Sequence, residues 1–178
     1  MTDLEKWQRG VTALTAEFQS LPALVVSRFQ RLARQIIRCK MLIQAVSDSV
    51  EVGSLCQRCG GECCLRGKYH VTVIDLLVQL AAASPLPFPD FASGRCPYLS
   101  DHGCQMQAIH RPYPCITFNC DRIESLLESR EIARFYRLSR RLSGLYDEVE
   151  RCLGNRLRGG MLINVERDVL SGQRLLRP

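Results

Sequence analysis

Four of the ten cysteines in this 178-residue chain fall within nine residues, and this run is the densest concentration of reactive side chains in the sequence. Two consecutive glycines inside the run allow the backbone to fold back on itself. Thiols so closely spaced can bind a soft metal ion, hold an iron–sulfur cluster or form disulfides. The run contains Cys56, Cys59, Cys63 and Cys64, and a second group follows at Cys96, Cys104, Cys115 and Cys120.

Cys56 and Cys59 have the spacing of a metal chelate, because two intervening residues let both sulfurs reach one ion at about 2.3 Å. Cys63 is near enough in sequence to share that centre. Cys64 follows it directly, and adjacent side chains usually diverge, so Cys64 need not bind the same ion. We predict a site for zinc or iron, the iron either alone or in an iron–sulfur cluster, in one centre or two. The predicted metal ligands are Cys56, Cys59, Cys63, Cys64, Cys96, Cys104, Cys115 and Cys120.

The redox state of the thiols depends on the compartment. The first residues carry neither a basic segment nor an apolar run of the kind found in secretory signals. No stretch is apolar for long enough to cross a bilayer. The expected location is the cytoplasm, where thiols stay reduced and metal ligation is favoured over disulfides. A disulfide-stapled exported protein is the alternative, and it would need an export route that the sequence does not show.

The charge of the chain is mildly basic, with a formal net charge of +6 and a pI near 8.9. Arginines recur at helical spacing, as at Arg28, Arg31, Arg34 and Arg38, which is typical of a solvated helix face. A focused basic patch is not evident, so neither nucleic acid nor a membrane is expected as a partner. The predicted partners are the metal ion and a protein that binds the long helices.

Apolar residues recur every three or four positions in three long stretches, which predicts a mainly α fold. The stretches are 4–19, 22–50 and 122–153, and we expect the second and third to pack on each other with the first alongside. Between the second and third lies an irregular, metal-stapled insert with little β structure. The predicted organisation is N-terminal helices over 1–54, a cysteine-rich metal-binding domain over 55–121, and a long C-terminal helix and tail over 122–178.

Local signals predict the shorter elements. Thr72 and Asp75 resemble a helix-capping pair, and their helix should run to about Ala83, before a proline-rich linker over Ser84–Pro89. Helix ends are expected at three positions: a stop at Gly53, an N-cap at Asp121 and a stop at Gly154. A β-prone run is expected at Tyr69–Val71, and a strand or buried extension over Met161–Val165. A tight turn between short strands is expected at Asp101–Gly103, and a helical turn over Gln105–Ile109.

Other reactive residues have weaker signals. Cys39 and Cys152 fall within predicted helices, so they are expected in the core rather than at the metal. Arg111 has two interpretations: a fixed cation that offsets thiolate charge, or one partner of a surface salt bridge. A catalytic cysteine lacks a supporting third group. The histidines are expected at the surface or in turns: His70, His102 and His110.

The cysteine pattern resembles the YkgJ family, a CxxCxxxCC family of zinc- or iron-chelating proteins. The run Cys56-x2-Cys59-x3-Cys63-Cys64 is similar to the motif that defines the family. The resemblance covers about residues 56–120 and leaves the flanking helices outside it. The similar positions further along are Thr72 and Asp75, then Gly94, Cys96 and Leu99, then Cys104, and then Arg111, Pro112 and Cys115.

The resemblance implies metal chelation in a bacterial protein. A related class, the flagellin lysine methylases, looks as if it uses such a domain with a bound iron–sulfur cluster. This implies an iron–sulfur-dependent, protein-modifying enzyme as one alternative function, although no glycine-rich nucleotide loop follows a predicted strand here. The other alternative is a helical scaffold in which a structural zinc only orders the insert.

Overall fold

Helices dominate the computed structural model, which describes residues 1–85, 88–92, 94–154 and 156–178. The mainly α fold with little β structure is confirmed. Short 3-10 turns cover Glu62–Cys64, Gly67–Tyr69 and Val169–Ser171. The other elements are α1 (Asp3–Gln19), α2 (Ala23–Asp48), α3 (Val52–Arg58), α4 (Val73–Ala81), β1 (Leu99–Ser100), β2 (Gly103–Cys104), α5 (Tyr113–Ile116), α6 (Asp121–Glu124), α7 (Ser129–Leu153) and α8 (Met161–Arg167).

The long helices α2 and α7 pack on each other, as their apolar faces predict. Phe29, Ile36 and Ile43 of α2 are buried together with Leu142 and Val149 of α7. Burying a side chain of this size contributes about 1.5–3 kcal/mol relative to leaving it exposed. This pair of helices forms the base on which the remaining elements assemble.

The N-terminal helix α1 packs on α8 through a glycine. A Cβ atom at Gly10 would come within 2.5 Å of Val165 Cγ2 and 2.7 Å of Met161 Sδ. The two helices therefore approach closely because position 10 carries no side chain. At the start of α1, Thr2 and Glu5 form a capping box that satisfies free N–H groups.

The short helix α4 is buried on every side, since all of residues 73–79 are buried. The predicted capping pair is confirmed. Asp75 N donates to Thr72 Oγ1 at 3.1 Å, and Thr72 N donates to Asp75 Oδ2 at 3.0 Å. The first N–H groups of α4 donate to the carbonyls of Leu157 and Gly159, which satisfies donors that a helix start leaves free.

Two helices replace the single helix predicted over 122–153, because the chain leaves helical geometry after α6. Ser125 Oγ donates to the carbonyl of Arg122, a local bond that competes with continuation of the helix. Glu128 is then extended, with a ψ of 150°, and α7 begins after it. Asp121 is the first residue of α6 rather than its cap.

Some of the other local predictions are wrong. Met161–Val165 is helical, in α8, because an apolar run of five residues does not by itself distinguish a strand from a helix. Within Gln105–Ile109 only the last two residues lie in a turn and none is helical. Tyr69 ends the 3-10 turn, and His70 and Val71 follow it without forming a strand. Gly53 lies inside α3 and does not end α2, which stops at Asp48.

The remaining local predictions agree with the structure, or they fall partly on residues outside the described ranges. β1 and β2 enclose the predicted turn, with Leu99 opposite Cys104, and Gly154 follows the last residue of α7. α4 ends at Ala81, just before the expected end. In the predicted linker, Leu86 and Pro87 lie outside the described residues. Within the described ranges, no helix has both the length and the apolar character needed to cross a membrane.

Candidate metal centre

The two groups of cysteines line one cavity of about 360 Å³. Its wall includes α3 and the turns after it, the β1–β2 hairpin, α5 and the start of α6. All ten cysteines of the chain are free thiols. Cys39 is buried in the core and Cys152 packs against the core, so both lie where the sequence predicts. The cysteines that line the cavity are Cys56, Cys59, Cys63, Cys64, Cys96, Cys104, Cys115 and Cys120.

The first group reaches the cavity through α3 and the two glycines after it. Cys56 lies on α3, and Cys59 caps the end of that helix. Gly60 and Gly61 have φ angles of 64° and 73°, in the left-handed region that glycine adopts without strain. They reverse the chain, so the 3-10 turn over Glu62–Cys64 brings its two cysteines back to the same cavity.

In the second group, Cys96 depends on the absence of a side chain at Gly67. A Cβ atom at Gly67 would lie 2.4 Å from both the Cβ and the Sγ of Cys96. Cys96 is also the most buried of the eight cysteines. The conformation of the chain around residue 67 therefore creates the space that this thiol occupies.

Cys115 contacts His70, the one histidine among the described residues that line the cavity. His70 Nδ1 lies 3.2 Å from Cys115 Sγ. Burial lowers the pKa of His70, which favours its neutral imidazole at pH 7. His70 lies in a turn, as expected, but it faces the cysteines and is half-buried.

Burial dominates the acid–base behaviour of the thiols. Burial raises the pKa of Cys64 to about 12, and the neighbouring Cys63 and Cys96 thiols add to the rise. Burial likewise raises the pKa of Cys56 and Cys115. Metal ligation requires thiolates, so a bound cation has to displace these protons. Binding of a metal at this cavity would therefore release protons.

The thiols act on each other's pKa across the two sequence groups and form one continuous set. Within the described chain, no three Cys, His, Asp or Glu side chains stand together as a group that could hold a single ion. The eight thiols surround a space rather than converging on a point. The neighbouring thiols of Cys59, Cys63 and Cys120 add to the rise in the pKa of Cys56. Cys63 also raises the pKa of Cys64 and Cys96, and these two thiols in turn act on Cys115.

Arg111 also lines the cavity, where α2 holds its guanidinium group. Its Nη1 atom donates to Gln44 Oε1 at 2.9 Å. The positive charge of Arg111 acts to lower the pKa of Cys56, against the larger effect of burial. This position favours the interpretation of Arg111 as a cation that offsets thiolate charge.

A buried ion pair behind the cavity anchors the segment that carries Arg111. Lys40 Nζ donates to Asp75 Oδ1 and to the carbonyl of Arg111, each at 2.7 Å. The two charged side chains are at most 1% exposed. The Tyr146 hydroxyl donates to the same carboxylate oxygen at 2.6 Å. Buried charges are tolerated when they are paired and hydrogen-bonded in this way.

The sequence predictions missed Lys40 and Tyr146. Lys40 stands four residues after Ile36 and three before Ile43, so it lies on the apolar face of α2. A lysine on such a face indicates a buried partner, because lysine is almost never fully buried unless paired. Tyr146 gives a weaker signal, since a tyrosine in an apolar stripe is explained by the packing of its ring alone.

Comparison with known proteins finds no matching family model, no matching curated protein and no matching solved structure. The resemblance to the YkgJ family therefore remains a prediction, carried by the motif residues given above. The function proposed below is based on the geometry of the cavity.

Proposed function

We propose that this protein chelates iron or zinc through the eight cysteines of the cavity, with an iron–sulfur cluster as the favoured form. One observation carries the proposal. Two cysteine groups that are distant in sequence, 56–64 and 96–120, line one cavity and contain only free thiols. A bound metal supplies cross-links to the insert, and an iron–sulfur cluster supplies electron transfer as well.

The size of the cavity favours a centre of several atoms. Around one zinc ion at a Zn–S distance of about 2.3 Å, the sulfurs stand within roughly 4 Å of each other. Eight thiols around a space of about 360 Å³ match a larger centre better. A four-iron cluster takes four cysteines, so eight cysteines are enough for one cluster or for two.

A structural zinc site is the second candidate, and the irregular backbone around the second cysteine group favours it. Over residues 94–120 the regular structure amounts to β1, β2 and α5. Structural metals stabilise segments that have too little core of their own. In this alternative the metal has only the structural role of ordering the insert, and the function of the protein is to bind a protein partner through its long helices.

The resemblance to the YkgJ family supports chelation and also the enzyme alternative, in which an iron–sulfur centre serves the modification of a protein. Polar groups beside the thiols, such as Arg111 and Asn119, are what a reaction at this cavity would need. Free thiols in this number suit a reducing compartment, so we propose the cytoplasm as the location.

Anaerobic purification followed by iron, zinc and acid-labile sulfide analysis tests the proposal. Iron with sulfide and a broad absorption band near roughly 400 nm indicates an iron–sulfur centre. Zinc without colour indicates the structural alternative. A folded protein that retains neither metal, even after anaerobic reconstitution, would contradict chelation.

A substitution at one thiol tests whether the cavity is the site. Cys59→Ser should weaken metal binding by more than about tenfold, because changes outside the ligand shell already cost 10- to 100-fold. Cys152→Ser makes the same chemical change away from the cavity and should retain the metal content of the wild type. Equal metal content in the two variants would remove Cys59 from the ligands.

A further inference from the structure

Two stretches of the long helices contain arginines but no carboxylates. They are 23–47 in α2 and 132–146 in α7, and together they hold nine of the 24 lysines and arginines and none of the 18 aspartates and glutamates. The rest of the chain has more acidic than basic residues, so the net positive charge of the protein belongs to these stretches. Five of their exposed arginines, here called the basic face, are Arg31, Arg34, Arg38, Arg137 and Arg141.

The packing of α2 on α7 brings these arginines together. The Cys39 thiol donates to the carbonyl of Leu138 at 3.4 Å, so these two residues mark a point where the helices touch. Arg38 directly precedes Cys39, and Leu138 lies between Arg137 and Arg141 in sequence. Burial raises the pKa of Cys39, and the positive charge of Arg141 opposes that rise from the other helix. The sequence alone shows no focused basic patch, but the fold creates one.

The charge of the basic face is not compensated inside the protein. Within the described ranges, none of its five arginines forms an ion pair with a carboxylate. Arg134, which precedes Arg137 by one helical turn, does pair with a neighbour, Glu131, at 3.4 Å. Like charges three or four residues apart on a helix repel each other and cost stability. A partner with negative charge would recover that stability.

The spacing of the arginines fits an acidic helix. Arg31, Arg34 and Arg38 are three and four residues apart, and Arg137 and Arg141 are four apart, so each set forms a row along its own helix. Packed helices lie about 8–10 Å apart, axis to axis. A third helix laid along the pair, with carboxylates at the same intervals, would face both rows. Arginine suits this contact because its guanidinium group matches a carboxylate in charge and geometry.

Two observations favour a protein over a nucleic acid as the partner. Met41 lies three residues beyond Arg38 on α2 and is 56% exposed, so the row of arginines continues into an apolar contact. Surfaces that bind single-stranded nucleic acid combine basic residues with aromatic rings on which the bases stack. The exposed aromatic residue of α7, Tyr136, instead donates its hydroxyl to the carboxylate of Glu124.

We propose that the basic face of α2 and α7 binds an acidic helical segment of a partner protein. Carboxylates of that segment pair with the arginines of both rows, and its apolar side contacts Met41. This inference goes beyond metal chelation and does not depend on it. It gives a chemistry to the protein partner that the second candidate function requires.

Fluorescence anisotropy on the full-length protein, purified anaerobically with its metal, tests the inference with a labelled peptide as the probe. The peptide is an alanine-based helix of about 18 residues, or five turns, with glutamates three and four residues apart along one side. A second peptide of the same composition has its glutamates spread around the helix. We expect the first peptide to bind at least about fivefold more tightly, and added salt to weaken the binding, because surface charges are screened.

A pair of double variants tests whether the basic face is the binding surface. Arg38→Gln combined with Arg141→Gln should weaken binding of the first peptide by at least about fivefold, since two surface ion pairs together account for a change of this size. Arg9→Gln combined with Arg174→Gln makes the same change of net charge at exposed positions outside the basic face. This control variant should bind the peptide like the wild type.

Each alternative outcome overturns the inference in a recognisable way. Equal affinity for the two peptides overturns it, and so does equal affinity of the two double variants for the first peptide. Tighter binding of an oligonucleotide of equal charge, or of vesicles that contain phosphatidylserine, assigns the basic face to another class of partner if the basic-face variant abolishes it. Metal analysis of the same samples keeps the proposed function separate, because peptide binding by a protein without metal still supports the basic face.

Discussion

Gly67 determines the space that is available to one candidate ligand. A Cβ atom there would overlap Cys96, so Gly67→Ala requires the cysteine or the backbone to shift. We expect the substitution to destabilise the fold by about 1–3 kcal/mol, as overpacking does, and to reduce bound metal. Chemical denaturation and metal analysis of the purified variant measure the two effects.

Gly144 provides the matched control, because it lies inside α7 with nothing within 4 Å of the position of an added Cβ atom. Gly144→Ala should raise the unfolding free energy by about 0.5–1 kcal/mol, since alanine favours a helix over glycine. Its metal content should stay unchanged. Full metal content in Gly67→Ala would show that Cys96 does not need its present position.

At the residue scale, the sequence identifies cysteines that line the cavity but not the residues that surround them. The spacing of Cys56, Cys59, Cys63 and Cys64 is local, so these four cysteines of the cavity could be named without coordinates. The roles of Gly67 and Asn119 could not be predicted, because each depends on a contact with a segment distant along the chain.

At the scale of elements, the buried pair of Lys40 and Asp75 joins α2, α4 and the segment that holds Arg111. Lys40→Met keeps most of the side-chain volume but leaves a buried carboxylate without its cation. Breaking such a pair on one side costs about 3–5 kcal/mol. We expect a loss of this size in the unfolding free energy, measured by chemical denaturation.

Two control variants test whether the loss of stability in Lys40→Met comes from breaking the buried ion pair. Lys6 pairs with Glu166 at the surface, so Lys6→Met should cost only about 0–1 kcal/mol. Adding Asp75→Asn to Lys40→Met removes the uncompensated charge and should recover part of the stability. If Lys40→Met were as stable as the wild type, the pair would not anchor the Arg111 segment.

The sequence predicts long helices well and their interruptions poorly. The apolar periods of α2 and α7 extend over many turns, so their existence and partners follow from the pattern. The break after α6 lies at Ser125, whose side chain bonds the carbonyl of Arg122, and α8 comes from a run too short to have a clear period. The position of the break and the helical state of α8 reflect local bonds and tertiary contacts, which the periodicity of apolar residues does not encode.

At the scale of the whole molecule, the C-terminal tail closes the fold onto α1 and α7. The backbone N–H groups of Leu175 and Leu176 donate to the Glu17 carboxylate at 3.1 and 2.7 Å. Arg177 N donates to the carbonyl of Leu153 at 2.7 Å. The tail therefore connects the beginning of the chain to its last long helix.

Asp168 helps to hold the C-terminal tail in place, and its contribution to stability depends on pH. Hydrogen bonds from Arg167 lower the pKa of Asp168 below its ordinary value of 3.8, and the charge of Arg177 adds to the effect. A pKa lowered by folding means that the carboxylate stabilises the fold above its unfolded pKa. That contribution is lost as the pH falls through the lower folded value.

We therefore expect Asp168→Asn to lower the unfolding free energy by about 1 kcal/mol at pH 7. The difference from the wild type should shrink below about pH 4, where the unfolded carboxylate becomes protonated. Urea denaturation of both proteins at neutral and acidic pH measures it. An equal difference at both pH values would mean that the charge of Asp168 does not stabilise the fold.

The cavity takes cysteines from both sides of the fully buried α4, from 56–64 before it and from 96–120 after it. A nascent chain emerging from the ribosome therefore lacks the complete set of ligands until Cys120 has been synthesised. Before Cys96 is synthesised, only the four upstream cysteines of the cavity would be present to bind a metal. The proposed metal centre would thus be completed late in biosynthesis, after most of the chain has been translated.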